Sequence, residues 1–349
     1  MLVARRGCRR ARAHLGVPPT SGGDMPQDTG LTHRLVPTPA GRTHLVEAGT
    51  GPLVLLVHGF PESWYSWRFQ LPALADAGYR AVAFDVRGYG RSSRPQEIRA
   101  YRMRELAADC AALVRTLGER TAVVVGHDWG SSIASTSALL HPDVFRAVAM
   151  MSVPYTPPGG GQRPSEIFAA MGGEEEFYVS YFQEPGRAEA EIEPDVRGWL
   201  SGIYAAMSAD TMPGPDDPAP HFVSRGGTLR DRFPAARPFW LGEQQLDFYA
   251  AEFERTGLTG GLNRYRNMDR DWEDLADVAG APLTQPSCYL GGAHDATTGW
   301  LAPAIEAFPT TLPGLTSAHT LDGCGHWIQQ EQPDEVNRLL VEWLGGLPA

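Results

Sequence analysis

The chain has 349 residues, of which 42% are hydrophobic and 20% charged, enough for a sizeable core in one large domain or a domain with an insertion. A net charge of −11 argues against a nucleic-acid partner, and no apolar run approaches the roughly 18–20 residues that span a bilayer. The four cysteines, Cys8, Cys110, Cys288 and Cys324, show no C-x-x-C pairing, so neither a zinc site nor a disulfide framework is expected, and a reducing, cytoplasmic compartment fits.

Residues 1–24 carry five arginines and one acid, Asp24, with no apolar core of the kind a secretory signal needs. They read as a disordered extension, drawn here over 1–30, or as an over-long start ahead of Met25. From Met25 the balance is 25 bases against 40 acids, or −15.

Residues 33–49 predict two short strands joined at Pro39-Ala40-Gly41. Leu53-Val54-Leu55-Leu56-Val57 predicts a buried central strand that ends at His58-Gly59-Phe60-Pro61. Loops at the C-terminal ends of such strands are where α/β proteins place their sites. His58 itself reads as an internally satisfied structural residue. A helix over 64–78 and a strand over Ala81–Asp85 follow, and the Arg87–Ser92 loop reads as structural. Met103, Leu106, Ala107, Cys110, Val114 and Leu117 fall at helical spacing, predicting an amphipathic helix over 102–117.

Val123-Val124-Val125-Gly126-His127-Asp128-Trp129-Gly130 predicts a buried strand, a tight turn and a helix over about 131–140. Gly126 and Gly130 flank Asp128 at i−2 and i+2, the pattern of the G-x-S-x-G nucleophile elbow with Asp in place of Ser. A strand at Ala147–Val153 completes a β-α-β-α-β alternation, which predicts a doubly wound parallel sheet. Pro and Gly then cluster over 154–165 and recur at 211–220, with helical patterns at 174–207 and 243–256. Residues 155–275 therefore read as an inserted helical cap on a core of 31–154 and 276–349. Sheet patterning returns at Ser287–Gly292, ending in Ala293-His294-Asp295. A short strand at His319–Leu321 leads to Gly323-Cys324-Gly325-His326-Trp327, and a helix over 332–344 closes the chain.

Asp128, Asp295 and His326 each follow a predicted strand, in the order nucleophile, acid, histidine expected of α/β-hydrolases. Asp295 would hold the imidazole in one tautomer, and His326 would act as general base. A carboxylate nucleophile is ionised at neutral pH and suits strained or activated sp³ carbons, such as an epoxide or a carbon bearing halide. Water activated by His326 would then hydrolyse the Asp128 ester, with the backbone N–H groups of Phe60 and Trp129 as the oxyanion hole. Epoxide opening needs a proton donor that is still protonated at pH 7, which suits tyrosine, whereas halide departure needs N–H donors, commonly indoles. The cap offers Tyr178, Tyr181 and Tyr265 for this role.

The chain resembles the soluble epoxide hydrolases of the α/β-hydrolase fold. The matching segments are HGFPESWYSWR (58–68), DVRGYGRSS (85–93), GHDWG (126–130), YFQEPG (181–186), NRYRNM (263–268) and GHW (325–327). GHDWG is shared in likeness with haloalkane dehalogenases, but HGFPESW with both tyrosine motifs is specific. The resemblance implies an α/β fold with a mostly parallel central sheet, helices on both faces and an inserted cap, working without metal or cofactor. It implies Asp128 as nucleophile, His326 as water-activating base, Asp295 as its partner, and Tyr178 rather than Tyr181, with Tyr265, at the epoxide oxygen. Phe60, Trp129, Tyr178, Tyr265 and Trp327 are the expected substrate contacts. Arg264 departs from the Trp often found before the second tyrosine, and Cys324 is unusual in its loop. The expected partner is a largely apolar small-molecule epoxide, lipid or aryl, in a detoxifying role; the sequence leaves a homodimer open. Haloalkane dehalogenase and non-catalytic ligand receptor are the alternative readings.

Overall fold

The computed structural model describes residues 30–348 apart from 40 and 215. The extension expected over 1–30 therefore lies outside the described residues, Gly30 excepted. In chain order the core opens with β1 (Thr32–Thr38), β2 (Gly41–Ala48), β3 (Leu53–Val57), α1 (Gln70–Asp76), β4 (Arg80–Phe84), α2 (Met103–Thr116), β5 (Ala122–His127), α3 (Trp129–Leu140) and β6 (Phe145–Met151). The next stretch holds α4 (Pro164–Gly172), β7 (Glu176–Phe177), α5 (Tyr178–Tyr181), α6 (Arg187–Ile192), α7 (Val196–Ala206), β8 (Phe222–Val223), α8 (Glu243–Thr256), α9 (Thr259–Tyr265) and α10 (Met268–Asp274). The chain closes with β9 (Ser287–Gly292), α11 (Ala296–Trp300), α12 (Ala302–Glu306), α13 (Phe308–Thr311), β10 (Leu315–Leu321), α14 (Ile328–Glu331) and α15 (Pro333–Gly345).

Eight strands form one sheet in the order β1-β2-β4-β3-β5-β6-β9-β10. β1, β2 and β4 pair antiparallel, and every other pairing is parallel. The run of valines explains the centre: Val123, Val124 and Val125 are fully buried, as is every residue of β3, because helices cover both faces. Each such side chain contributes about 1.5–3 kcal/mol by leaving water. The register pairs Val57 with Gly126 and Gly126 with Met150, so β3, β5 and β6 end level and their following loops converge. Residues 155–275 add no strand to this sheet; β7 and β8 pair only with each other. The stretch is tied to the core where Asp271 accepts the N–H of Met103 at 2.7 Å, at the first residue of α2.

Three differences from the predicted elements have local causes. The helix expected over 64–78 is a 3₁₀ turn at Trp64–Trp67, capped by Ser63, followed by α1. Pro72 has no N–H to donate and is tolerated only in the first turn, which starts the helix at Gln70. The pattern over 174–207 is divided at Pro185-Gly186 and Pro194 into several short pieces. β10 is four residues longer than predicted at its start, because it is an edge strand with mostly solvent-facing side chains and carries no apolar run. Among the described residues, no helix is long and apolar enough to cross a membrane.

Candidate active site

Asp128 stands between β5 and α3 with φ 54° and ψ −123°, a conformation an L-residue rarely adopts. The turn is possible because its neighbours lack side chains: a Cβ on Gly126 would meet the Gly130 carbonyl, and one on Gly130 would meet the Val57 carbonyl. The carboxylate is thereby thrust above the sheet, at the N-terminus of α3, where unpaired N–H groups favour negative charge. The Phe60 N–H, from the loop after β3, donates to Asp128 Oδ1 at 2.8 Å. The Gly59 position leaves no room for a Cβ beside that carboxylate.

His326 arrives from the loop after β10 and Asp295 from the end of β9. His326 Nδ1–H donates to Asp295 Oδ2 at 3.0 Å, and His326 Nε2 lies 3.5 Å from Asp128 Oδ2. Burial alone would push the imidazole down, but the charges of Asp295 and Asp128 and the Asp295 hydrogen bond outweigh it and hold His326 well above its ordinary value. Asp295 is buried too, which would raise its carboxyl; the His326 charge and hydrogen bond and the Thr297 N–H hold it low instead. The His326 loop is fixed from below. Glu331 accepts the N–H groups of Gly325 and Trp327, and the His326 N–H donates to Met207 O at 2.9 Å.

Tyr178 opens α5 and Tyr265 ends α9. Their rings face one another edge-on at 6.1 Å, and both line a cavity above Asp128 and His326. The Tyr265 ring meets Phe60 edge-on at 5.4 Å. Burial first, then the Asp128 and Asp295 charges, push the Tyr178 hydroxyl well up; burial, Tyr178 and Asp128 do the same for Tyr265. Both phenols therefore keep their protons at neutral pH and can donate to an oxygen that gains charge between them. The flanking motifs clamp this pair: Gln183 Nε2 donates to Tyr265 O at 3.1 Å, and Arg266 donates to Phe182 O at 3.1 Å while pairing with Glu189 at 2.8 Å. Tyr181, three residues on, instead turns its hydroxyl to Glu191 at 2.5 Å.

Over residues 52–333 the sequence matches the family described as alpha/beta hydrolase fold. It is 43% identical over 350 residues to Epoxide hydrolase B of Mycobacterium tuberculosis, covering 90% of this chain and 98% of that one. The chain belongs to the epoxide hydrolases of the α/β-hydrolase fold. Among solved structures, an epoxide hydrolase from an endophytic Streptomyces shares 65% identity at a TM-score of 0.89, over 91% of this chain and 96% of that one. Epoxide hydrolase A from Mycobacterium thermoresistibile shares 45% at 0.85, over 91% and 99%.

Of the residues expected to touch substrate in this epoxide hydrolase, Phe60, Tyr178 and Tyr265 line the cavity. Trp129 lies behind Tyr265, 5.1 Å away and edge-on. The expectation for Trp327 is corrected: its side chain is wholly buried beneath His326, and its indole N–H donates to Tyr204 O at 3.1 Å. A buried indole N–H needs a partner, and the core supplies one. Arg264, the departure from the usual Trp, stacks its guanidinium 4.9 Å from the Trp129 ring centroid and pairs with Asp271. Cys324 is buried and its thiol is pushed up by burial, which keeps it neutral. Cys110 and Cys288 are also free. His58 is satisfied internally, donating from Nδ1 to Gly59 O and accepting the Val86 N–H at Nε2.

Sequence reasoning missed Glu62. Its carboxylate accepts the Gly59 N–H at 2.9 Å and His127 Nδ1–H at 2.8 Å, while His127 Nε2 reaches His326 O at 2.8 Å. One buried pair thus connects the Phe60 loop, the Asp128 turn and the His326 loop. Burial would raise the Glu62 carboxyl, but the His127 charge and hydrogen bond bring it down to about 2. The signal was present in the quoted HGFPESW and GHDWG segments, as an acid and a histidine whose partners only the fold reveals.

Proposed function

We propose that this chain hydrolyses an epoxide to a vicinal diol through an ester on Asp128, with residues 155–275 acting as a cap over the reaction. Asp128 Oδ2 attacks an oxirane carbon and the C–O bond breaks. Tyr178 and Tyr265 grip the departing oxygen, and one passes it a proton. The product of this step is a hydroxyalkyl ester and a tyrosinate. Esterification removes the Asp128 charge, one of the two that hold the proton on His326; the imidazolium then releases that proton to solvent and can act as base. It takes a proton from water; the hydroxide attacks Asp128 Cγ; the oxyanion forms on Oδ1, facing the Phe60 and Trp129 N–H groups. Collapse releases the second oxygen, which takes its proton from His326. The carboxylic acid left on Asp128 returns a proton to the tyrosinate, and the restored Asp128 charge draws a proton from solvent back onto His326.

The observation that carries this reading is the pair of protonated tyrosines opposite a carboxylate whose other oxygen already accepts the Phe60 N–H. It also weighs against halide displacement. Of the two indoles next to the site, Trp327 has given its N–H to Tyr204 O, and neither Trp129 nor Trp327 stands in the cavity wall to receive a halide. The test is diol formation from a panel of aryl and aliphatic epoxides, with Asp128→Ala alongside. Diol from wild type alone supports the reading. No diol from any epoxide, or equal diol from Asp128→Ala, would overturn it.

A further inference from the structure

The cavity wall contains polar side chains of two kinds. Asp128, Tyr178, Tyr265 and His326 belong to the reaction proposed above. His221 and Thr297 do not, and the rest of the lining is apolar. His221 is 92% buried, and its Nε2 has no hydrogen-bond partner among the described residues. Its place is fixed through its backbone, because its carbonyl accepts the Tyr178 N–H at 2.9 Å in the small β7–β8 sheet. The ring stands 6.2 Å from the Tyr178 ring and edge-on to Trp300 at 4.7 Å. Thr297 is on α11 with Trp300, three residues away and hence on the same helix face, and lines the same cavity as His221. That hydroxyl makes no hydrogen bond among the described residues; only the Thr297 backbone is engaged, its N–H with Asp295 at 2.9 Å and its carbonyl with the Leu301 N–H at 3.0 Å.

A buried polar atom without a partner is costly, and a wall of an otherwise apolar cavity is where a ligand would meet it. We propose that His221 and Thr297 form a polar subsite that selects epoxides bearing a neutral oxygen function (hydroxyl, ether or carbonyl) a few bonds from the oxirane. This rests on the epoxide-hydrolase reading and names the substrate class within it. The chemistry favours a neutral group over a carboxylate. Burial holds the His221 imidazole down at about 4, so it is uncharged at working pH and offers one donor and one acceptor. Thr297 adds a hydroxyl that can do either. An anionic group here would sit near Asp295, whose charge His221 already feels, and the cation His221 also feels, His326, is already paired with Asp128 and Asp295.

The experiment compares matched pairs: glycidyl ethers and epoxy alcohols with the oxygen two to five bonds from the ring, each beside its all-carbon isostere. kcat and KM are measured for wild type, His221→Phe, His221→Gln and Thr297→Val. A neutral hydrogen bond is worth about 0.5–1.5 kcal/mol, so wild type should favour the oxygenated member by roughly 2–12-fold, chiefly in KM. His221→Phe and Thr297→Val should each erase most of that ratio while leaving the isostere within about twofold. His221→Gln, which keeps a donor and an acceptor, should retain part of it. An unchanged ratio in both His221→Phe and Thr297→Val would overturn the subsite, as would equal losses on both members of each pair. Thr297→Val, an isosteric change, reads the subsite even if His221→Phe fails to fold. Turnover of no epoxide at all by wild type is a separate result, and it would remove the reaction assignment on which the subsite depends.

Discussion

His326 Nε2 lies 3.5 Å from Asp128 Oδ2, too far for a strong hydrogen bond and near enough for the two charges to stabilise one another. In the proposed reaction the two form an ion pair at rest, and the nucleophile keeps its future base protonated until the ester forms. Ester breakdown should then rise with pH as His326 in the esterified protein loses its proton. Asp295→Asn removes a negative charge that holds that proton on, so the midpoint should move to lower pH, while the plateau falls because the imidazole loses its orienting partner. Single-turnover decay of the ester across pH measures both. A midpoint that moves upward would contradict the ion-pair account.

In the proposed reaction the two phenols share the work of proton donation. Tyr178→Phe and Tyr265→Phe should each slow ester formation by about 10²-fold, the range of a positioned general acid, and the double variant should come close to the rate without tyrosine assistance. Ester breakdown should change far less, since the oxyanion then faces the Phe60 and Trp129 amides. Stopped-flow rates for the two half-reactions separate the steps. Equal slowing of both would mean that the rings serve packing and not proton donation.

Glu62 and His127 predict a stability effect and an activity effect together. Glu62→Ala leaves His127 buried beside an absent carboxylate, a loss of about 3–5 kcal/mol, seen as a lowered Tm. Glu62→Gln keeps an acceptor and should cost less. The folded-state carboxyl of Glu62 is depressed, so its contribution is fully present above the ordinary value of 4.5. It fades as pH falls from there towards about 2. Wild type should lose Tm across that interval more steeply than Glu62→Gln.

Trp327→Phe should lower stability by about 0.5–1.5 kcal/mol, because the Tyr204 carbonyl loses one donor and keeps the Ser208 hydroxyl, and should leave KM for small epoxides nearly unchanged. Thermal melts beside steady-state kinetics check this. A large KM change at wild-type stability would return Trp327 to the substrate wall.

The central strands and the Asp128 turn were legible because β-branched runs and paired glycines leave few conformations open. Asp295 and His326 were legible for a related reason: each ends a strand, and the ends of parallel strands converge. Tyr178 could be separated from Tyr181 only by resemblance, since the spacing around YFQEPG permits either ring to face inward; the fold turns Tyr181 to Glu191. Glu62, His221 and Thr297 were not legible. Their surroundings come from segments far apart in sequence, such as Glu62 with Gln329 and His221 with Trp300, and no local pattern records such contacts. Trp327 misled because adjacency to His326 says nothing about which way an indole points.

The most direct test of the account is intact-protein mass spectrometry of His326→Gln after mixing with an epoxide, followed by peptide mapping. An epoxide opened by Asp128 loses no atoms, so the account predicts a protein heavier by the whole mass of the substrate, with the addition mapped to Asp128 and absent from Asp128→Ala. No adduct, an adduct on another residue, or formation of an ester only from haloalkanes with loss of hydrogen halide would contradict it.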